Sequence, residues 1–414
     1  MAKVKAFRAI RPNEEKVKDV IALPYDVMNV REAREMAEGN PYSFLHISRS
    51  EIDLEEMEDV HTKEVYLKAK ENLDRFVEEG TLLEENKECL YIYRQVMNGN
   101  VQTGVVACIS VDDYIDNVVK KHELTRVEKE EDRTNHFDIV DAQTEPIFLT
   151  YKDNNNIKTI INGYAEKNKP VYDLLLDDGI SHTLWVLEDD EIIKEITTLF
   201  EKNDLYIADG HHRTASAYNV CVKRRKENEA ISNGDENYNY FMAAIFPDSD
   251  LKIFDYNRVV KDLNGFTTEE FLTKIKAAGF EIEEVSEPYR PQKKAEFGML
   301  LDEKWYRLIA KAEIIPNNPV DSLDVSVLQD NLLNPILGII DPRTDSRIDF
   351  VGGIRGLEGL VNRVNSDMKI AFSTYAVDIK DLIEVSDSGM IMPPKSTWFE
   401  PKMGSGLFIH KLNK

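Results

Sequence analysis

The stretch LYIADGHHRTASAYNV, residues 205–220, decides the fold of this chain. Residues 205–208 are apolar and typical of a buried strand, and Gly210 interrupts them before a helical pattern begins. A strand that turns at a glycine into a helix points free backbone N–H groups, and the positive end of the helix dipole, at one spot. The sequence therefore predicts an anion-binding turn at residues 209–213.

The side chains of this turn suit phosphate chemistry. Arg213 offers a planar, permanently charged fork for phosphate oxygens, and Asp209 at the strand end can hold a metal ion or orient a histidine. His211 and His212 can donate hydrogen bonds near neutral pH, and Thr214 adds a hydroxyl group. We interpret the segment as a phosphate site.

Two other interpretations of the same segment stay open. In the first, Asp209 is only a helix cap, Arg213 is a surface ion pair, and the histidines are packing residues. In the second, His211 and His212 bind zinc, although adjacent histidines rarely reach one ion and no H-E-x-x-H helix occurs.

A second polar segment, KHELT at residues 121–125, leads into a charged stretch that we predict as a helix at about 123–133. Glu130 and Arg133 are three residues apart, so an exposed, ion-paired helix is one interpretation. In the other, Glu123 follows an apolar-to-basic strand at an element end, where its carboxylate can reach a cleft. A carboxylate beside a hydroxyl substrate can act as the general base of phosphoryl transfer.

A third segment, MPPKSTWF at residues 392–399, combines two prolines with a lysine and two hydroxyl groups. Lys395, Ser396 and Thr397 could bind a phosphate or a carboxylate, and an ordinary loop is the alternative. The segment is not a Walker loop, because G-x-x-x-x-G-K is absent.

Composition limits the partners. The 414 residues include 76 acidic and 52 basic side chains, a formal net charge of −24 that repels nucleic acid. Three widely spaced cysteines form no C-x-x-C pair, and no apolar run is long enough to span a membrane. The N-terminus lacks the apolar core of a signal peptide. We expect a cytoplasmic enzyme that binds neither nucleic acid nor membranes.

The length favours two domains, which we place at residues 1–262 and 263–414.

Residues 90–109 predict a β-hairpin around Asn98-Gly99. Near the N-terminus, apolar runs at 20–23 and 42–47 predict strands that flank a helix at about 29–38. A long amphipathic helix is predicted from 56 to 79, and the turn-forming Asp26 and His46 are further candidates for a cleft.

Over nearly the whole chain, the segments LPYDV, NPYSFLHISRSE, HELT, DGHHRTASA, LDVSVLQ, PILGI and MPPKSTWFEPKMGSGLFIH resemble domain-of-unknown-function family 1015 of bacteria and archaea. In fewer segments, the chain also resembles the archaeal free-serine kinases, which share a core with the partition protein ParB and with sulfiredoxin. Both have a His-Glu segment, a DGHHR segment and a terminal Pro-Lys-Ser/Thr-Thr loop, in that order.

The second resemblance implies a mixed α/β fold with a ParB/sulfiredoxin-like core, an N-terminal elaboration and a smaller C-terminal α+β unit. It also implies a kinase that transfers phosphate from ATP or ADP, with Mg²⁺, to free L-serine, giving O-phosphoserine. The roles that it implies fall on three groups: catalysis by Glu123, Asp209, His211 and His212, with Asp209 also a magnesium ligand; phosphate binding by Gly210, Arg213, Thr214, Lys395 and Ser396; and substrate binding by His122, Thr397 and Trp398.

The chain also departs from the free-serine kinases. More than a hundred residues precede Glu123, and the gap from His122 to Asp209 is longer, so these regions have no counterpart. The alternative function is a ParB-like switch that binds and hydrolyses a nucleotide without a small-molecule acceptor. A sulfiredoxin-like thiol repair enzyme would need a cysteine in the anion loop, and none lies between Asp209 and Thr214. A homodimer stays open beside a monomer.

Overall fold

The computed structural model describes residues 2–55, 59–228 and 234–413. In chain order, its strands are β1 (Val4–Lys5), β2 (Ile10–Pro12), β3 (Leu82–Glu84), β4 (Leu90–Met97), β5 (Asn100–Ser110), β6 (Val119–Lys120), β7 (Ala142–Gln143), β8 (Ile147–Tyr151), β9 (Tyr172–Leu175), β10 (Ser181–Leu187), β11 (Leu205–Asp209), β12 (Tyr240–Pro247), β13 (Lys252–Phe254), β14 (Tyr256–Val260), β15 (Phe280–Val285), β16 (Glu296–Leu301), β17 (Lys304–Ala310), β18 (Ile348–Gly352), β19 (Ile370–Thr374), β20 (Trp398–Glu400) and β21 (His410–Lys411).

The α-helices are α1 (Val17–Val20), α2 (Val30–Ala37), α3 (Leu45–Ser48), α4 (Lys63–Glu78), α5 (Val111–Ile115), α6 (Val127–Val140), α7 (Asn156–Lys167), α8 (Asp190–Phe200), α9 (His211–Glu227), α10 (Thr268–Ala277), α11 (Asp324–Leu328), α12 (Gly356–Ser366) and α13 (Ile379–Asp387). The mixed α/β class predicted from the sequence is confirmed. Among the described residues, no helix has the length and hydrophobicity needed to cross a bilayer.

Contacts divide the chain into two compact units, Met1–Leu251 with Pro401–Lys414, and Lys252–Glu400. The sequence expectation placed the boundary after residue 262 and gave the whole C-terminal region to the second unit. The structure differs because β14 pairs with β18 and β19, which draws residues 252–262 into the second unit. The last segment belongs to the first unit because β21 pairs with β7.

A nine-stranded sheet forms the first unit, in the order β6-β11-β8-β12-β5-β4-β10-β9, with β1 also paired to β5. The pairs β6/β11 and β8/β12 are parallel and the other pairs are antiparallel. Helices α6 to α9 contribute buried apolar residues to the same core as the sheet, including Phe137, Ile161, Phe200 and Val220. This core fixes the end of β11, where the candidate site lies.

The hairpin predicted around Asn98-Gly99 is confirmed. Strands β4 and β5 pair with Met97 opposite Asn100, and both turn residues have positive φ, 51° at Asn98 and 78° at Gly99. Such a two-residue turn matches the right-handed twist of the strands, and asparagine and glycine tolerate it best.

The two strands predicted at 20–23 and 42–47 are wrong, whereas the helix between them is confirmed as α2. The short helices α1 and α3 occur there, and Val20, Phe44 and Ile47 pack into one buried cluster with α4. Short apolar runs fit a buried helical turn as well as a strand, so tertiary packing decides. The long helix predicted from 56 begins at Lys63, and residues 56–58 lie outside the described residues.

The second unit contains a six-stranded antiparallel sheet in the order β15-β17-β16-β19-β14-β18, and a separate pair formed by β13 and β20. Helix α10 begins with a complete capping box, in which Thr267 and Glu270 satisfy each other's backbone N–H groups. Buried apolar residues of α10, α11 and the sheet form one core, including Phe271, Leu328 and Phe372.

Candidate active site

The predicted turn from strand to helix is confirmed, and Gly210 makes it. Strand β11 ends at Asp209 after a register irregularity opposite β8, and α9 begins at His211. Gly210 has a φ of 98°, in the left-handed region that only glycine adopts without strain. No described side chain caps α9, and the Thr214 hydroxyl donates to the Gly210 carbonyl at 3.0 Å. The backbone N–H groups of the first turn are therefore left for a ligand.

We expect Gly210→Ala to destabilise this turn by about 1–2 kcal/mol, because an L-residue is strained in left-handed backbone. The added Cβ would also lie 3.1 Å from the Arg213 guanidinium, so Arg213 would have to shift. Urea unfolding of the variant measures the effect. Gly179→Ala is the matched control, because Gly179 also has positive φ but a Cβ there would meet nothing within 4 Å. Equal losses in the two variants would show that the contact with Arg213 is unimportant.

Arg213 is buried and its guanidinium contacts partners inside the first unit. Nη1 donates to the Pro146 carbonyl at 2.6 Å and lies 3.7 Å from Glu145 Oε2, and Nη2 lies 3.3 Å from Asp209 Oδ2. Ser405 donates to the other oxygen of Glu145 at 2.8 Å. Instead of presenting its fork to solvent, Arg213 holds two carboxylates, so its direct effect is to orient Asp209.

Asp209 is held as an anion. Burial alone would raise the pKa of its carboxyl, but Lys402, Arg213 and His211 outweigh burial and lower the pKa to about 2. The Lys402 ammonium lies 3.8 Å from Asp209 Oδ2, and about a third of the Asp209 side chain is exposed. An ionised carboxylate at a strand end, facing the N-terminus of a helix, can bind a divalent cation.

This pKa predicts how Asp209 contributes to acid stability. The folded-state pKa lies below the ordinary value of 3.8, so the contribution is present above pH 4 and is lost as the pH falls toward 2. We therefore expect wild-type protein to lose more stability than Asp209→Asn over that window. Urea unfolding at several pH values measures the difference, and parallel pH profiles for the two proteins would contradict it.

The two adjacent histidines fasten the segment that carries Glu123 to the first turn of α9. His211 Nε2 accepts a hydrogen bond from the backbone N–H of His122 at 3.4 Å. His212 Nε2 accepts one from the backbone N–H of Arg126 at 3.1 Å. Glu123 lies between these two anchors, so its carboxylate is positioned by two hydrogen bonds from its own segment to α9.

The predicted helix at 123–133 is wrong at its start, because α6 begins at Val127. The anchors explain the difference: the N–H groups of His122 and Arg126 donate to imidazoles and not to helical carbonyls. Arg126 adopts an extended conformation with φ −103° and ψ 133° before the helix. Glu123 consequently lies outside the helix, in an irregular segment.

Glu123 and His211 are paired across this segment. Glu123 Oε2 lies 3.7 Å from His211 Nδ1, and the Glu123 side chain is 42% exposed. Because His211 Nε2 accepts a hydrogen bond, the proton of the neutral ring is on Nδ1, facing the carboxylate. Burial and the neighbouring His122 lower the pKa of His211 well below its usual value, so the ring is neutral. Burial also lowers the pKa of His122 to about 4, and its ring lies edge-on to His211.

These residues surround one small cavity of about 50 Å³. Its lining combines the predicted Glu123, Asp209, Gly210, His211, His212 and Arg213 with Tyr25 and Asp26. Of the two further residues that the sequence offered for a cleft, Asp26 is exposed and lines both this cavity and a larger one. His46 lines neither cavity, and its Nδ1 lies 2.7 Å from Asp53 Oδ1.

The donor set around this cavity fits magnesium. Within the described residues, no group of three or more potential ligands is close enough to form a complete metal site. Magnesium, however, is commonly held by only one or two carboxylates together with substrate phosphates and water. Asp209 and Asp26 supply carboxylate oxygens of that kind beside the N-terminus of α9.

Sequence reasoning missed three residues of this site. Glu145 is buried and accepts a hydrogen bond from Ser405, whereas Lys402 lies beside Asp209. Lys402 and Ser405 both come from the segment that returns to the first unit. That segment is fixed by the Gln95 amide, which donates to the Lys402 carbonyl at 2.8 Å. The run Lys402 to Ser405 gave a weak signal, because its one glycine and its lysine lie close in sequence to the predicted terminal loop.

The terminal loop belongs to the second unit. Lys395 is exposed with a φ of 57°, and Ser396 is buried with its hydroxyl donating to the Pro393 carbonyl at 2.7 Å. Trp398 lies in β20 and packs edge-on against Tyr256. Thr397, which lies between Ser396 and Trp398 in the sequence, is half-buried.

Arg258 adds a buried cation beside that loop. Its guanidinium donates to the Tyr256 carbonyl and, at 3.1 Å, to the Lys395 carbonyl. Burial lowers the pKa of Arg258 to about 10, and no carboxylate of the described chain pairs with it. A buried cation without a counter-ion is costly, so Arg258 and Lys395 together favour a bound anion.

The fold and the site define a mixed α/β protein with a carboxylate-rich cavity at the N-terminus of a helix. The chain belongs to the family described as "Protein of unknown function (DUF1015)", whose profile matches residues 4–326. This confirms the resemblance noted in the sequence. No curated protein matches the sequence.

Several solved structures are similar to this chain at low identity. A free serine kinase in complex with AMP shares 13% identity, covering 75% of this chain and 91% of that chain, with a TM-score of 0.36. SbnI with a C-terminal truncation, from Staphylococcus aureus, shares 10% identity over 74% and 87%, with a TM-score of 0.37. A conserved hypothetical protein from Pyrococcus furiosus shares 14% identity over 73% and 95%, with a TM-score of 0.33. These values are too low to transfer an activity.

Proposed function

We propose that this protein is a phosphotransferase that moves a phosphoryl group from ATP or ADP to the hydroxyl group of a small molecule. Free L-serine is the first acceptor to test, with O-phosphoserine as its product. In the transfer, the acceptor oxygen forms a bond to the terminal phosphorus, the bond to the bridging oxygen breaks, and ADP or AMP leaves.

One observation carries the proposal: an exposed carboxylate is fixed beside an uncapped helix N-terminus. Glu123 sits between two backbone anchors to His211 and His212, in a cavity that also contains Asp209. A kinase of this kind needs a base for the acceptor hydroxyl and positive potential for the phosphate. Both requirements meet here within a single small cavity.

Each residue of the cavity has a role in this proposal. Glu123 takes the proton of the acceptor hydroxyl, and the backbone N–H groups of the first turn of α9 hold phosphate oxygens. Asp209 and Asp26 would hold Mg²⁺, which would neutralise charge on the phosphates when bound. His211 and His212 act as positioning residues, since each fastens the segment that carries Glu123.

We propose for Arg213 a role other than the phosphate binding that the resemblance implies. Its guanidinium is already paired with Asp209 and Glu145, so we assign it to positioning the Asp209 carboxylate. The roles implied for Lys395, Ser396, Thr397 and Trp398 stay in the proposal, and Lys395 is supported by the buried Arg258 beside it. Thr214 supports the turn through its bond to Gly210.

The experiment is incubation of the protein with labelled ATP or ADP, Mg²⁺ and a panel of hydroxylated metabolites that includes L-serine. We expect label in a phosphorylated metabolite. Release of inorganic phosphate alone, whatever acceptor is added, would favour the alternative nucleotide-hydrolysing switch. The absence of both nucleotide binding and hydrolysis would contradict the proposal and the alternative together.

A further inference from the structure

A larger cavity, of about 330 Å³, adjoins the small one within the first unit. The two cavities share Tyr25, Asp26 and His212 in their linings. The other walls of the larger cavity come from segments between Met28 and Tyr66 and from helix α6. Most of the lining therefore precedes Glu123 in the chain.

Apart from Arg49 Nε, which forms an ion pair with Glu51, two buried polar atoms of residues that line this larger cavity have no hydrogen-bond partner among the described residues. They are Ser48 Oγ and His136 Nδ1, on side chains that are 3% and 2% exposed. His136 Nε2 faces the Ile47 carbonyl at 3.2 Å, so the proton of the neutral ring is on Nε2 and Nδ1 is an acceptor. Leaving such groups unpaired is costly, so the part of the wall that contains Ser48 and His136 suits a ligand that hydrogen-bonds to both.

The buried and half-buried charged residues of the wall are already matched to one another, whereas Asp26, Glu128 and Lys129 of the same wall are exposed. Arg133 pairs with Asp132 at 2.8 Å, and Asp132 also accepts from the Tyr66 hydroxyl at 2.8 Å. Arg49 pairs with Glu51 at 2.7 Å. A charged head group beside these matched pairs would find no free counter-ion, so an uncharged one is favoured there.

Another part of the cavity is less polar. Met28, Val60 and Val65 line it, together with the rings of Tyr25 and Tyr66. The Arg133 guanidinium stacks on the Tyr25 ring at 4.3 Å, which holds this ring where the two cavities meet. A flat or apolar body fits this section, as it does in most small-molecule sites.

We infer that the larger cavity holds the far end of the phosphate acceptor. The acceptor is then a hydroxylated molecule larger than serine, of nucleoside or dipeptide-amide size, with an uncharged hydrogen-bonding head group. Its head group meets Ser48 and His136, its body lies against Met28 and Tyr25, and its hydroxyl extends toward Glu123. This inference rests on the proposed function, because it names the acceptor of the same site.

The test is calorimetric binding of adenosine and of seryl-glycinamide to the full chain, with L-serine for comparison and no nucleotide present. We expect one of the two larger probes to bind at least about tenfold more tightly than serine. Ser48→Ala, which removes one hydrogen bond, should weaken that binding about fivefold. Met28→Trp, which fills the cavity, should abolish it.

Met36→Trp is the matched control, because Met36 is 48% exposed on α2 and does not line the cavity. The inference is overturned if both larger probes bind no more tightly than serine. It is equally overturned if Ser48→Ala and Met28→Trp bind them as the control does. Phosphoryl transfer is measured separately, so retained binding without any transfer would contradict the proposed function and leave the binding site standing.

Discussion

Glu123→Gln is expected to lower the rate of phosphoryl transfer by about a hundredfold to ten-thousandfold, which is the usual contribution of a general base. The amide keeps the shape of the side chain but cannot accept the hydroxyl proton. The backbone anchors at His122 and Arg126 do not involve this side chain, so the segment should keep its position. Steady-state kinetics with labelled nucleotide measures the loss.

Nucleotide affinity should stay unchanged in this variant, since the proposed phosphate site is made by the backbone of α9. Glu131→Gln is the matched control: it removes another carboxylate close in sequence, on the exposed face of α6. Full activity of Glu123→Gln would contradict the base assignment. A loss of activity accompanied by an equal loss of nucleotide binding would instead indicate a structural role.

Arg213→Met should have the largest effect on stability, with a loss of about 3–5 kcal/mol in the free energy of unfolding. The substitution fills similar space but leaves the buried Glu145 and the partly buried Asp209 without their shared cation. Breaking a buried ion pair by removing one partner costs more than an exposed pair contributes. Urea unfolding measures the loss, with the exposed Arg126→Met as control.

A double variant makes this prediction sharper. In Arg213→Met with Glu145→Gln, one of the orphaned carboxylates is removed, so part of the lost stability should return. Burial already raises the pKa of Glu145, which shows how poorly its charge is tolerated there. If Arg213→Met costs less than about 1 kcal/mol, as an exposed pair would, the guanidinium does not hold these carboxylates.

The sequence predicts the features that depend on local backbone conformation, but it does not predict those that depend on distant side chains. The hairpin at Asn98-Gly99 and the turn at Gly210 are encoded locally, because each depends on backbone conformations that few residues adopt. The helix start at Val127 was missed because two distant imidazoles take the N–H groups of His122 and Arg126. No local pattern reveals such partners. The ParB/sulfiredoxin-like core and the homodimer stay predictions.

By itself, the sequence determined that a buried strand ends and a helix begins around Gly210, with Asp209 and a His-His-Arg run at this turn. Local periodicity and the unique conformational range of glycine are sufficient for that. Only the tertiary structure decided what these residues face. Glu145 and Lys402 meet Arg213 and Asp209 because segments far apart in the chain pack together, and through those contacts the Arg213 guanidinium holds two carboxylates.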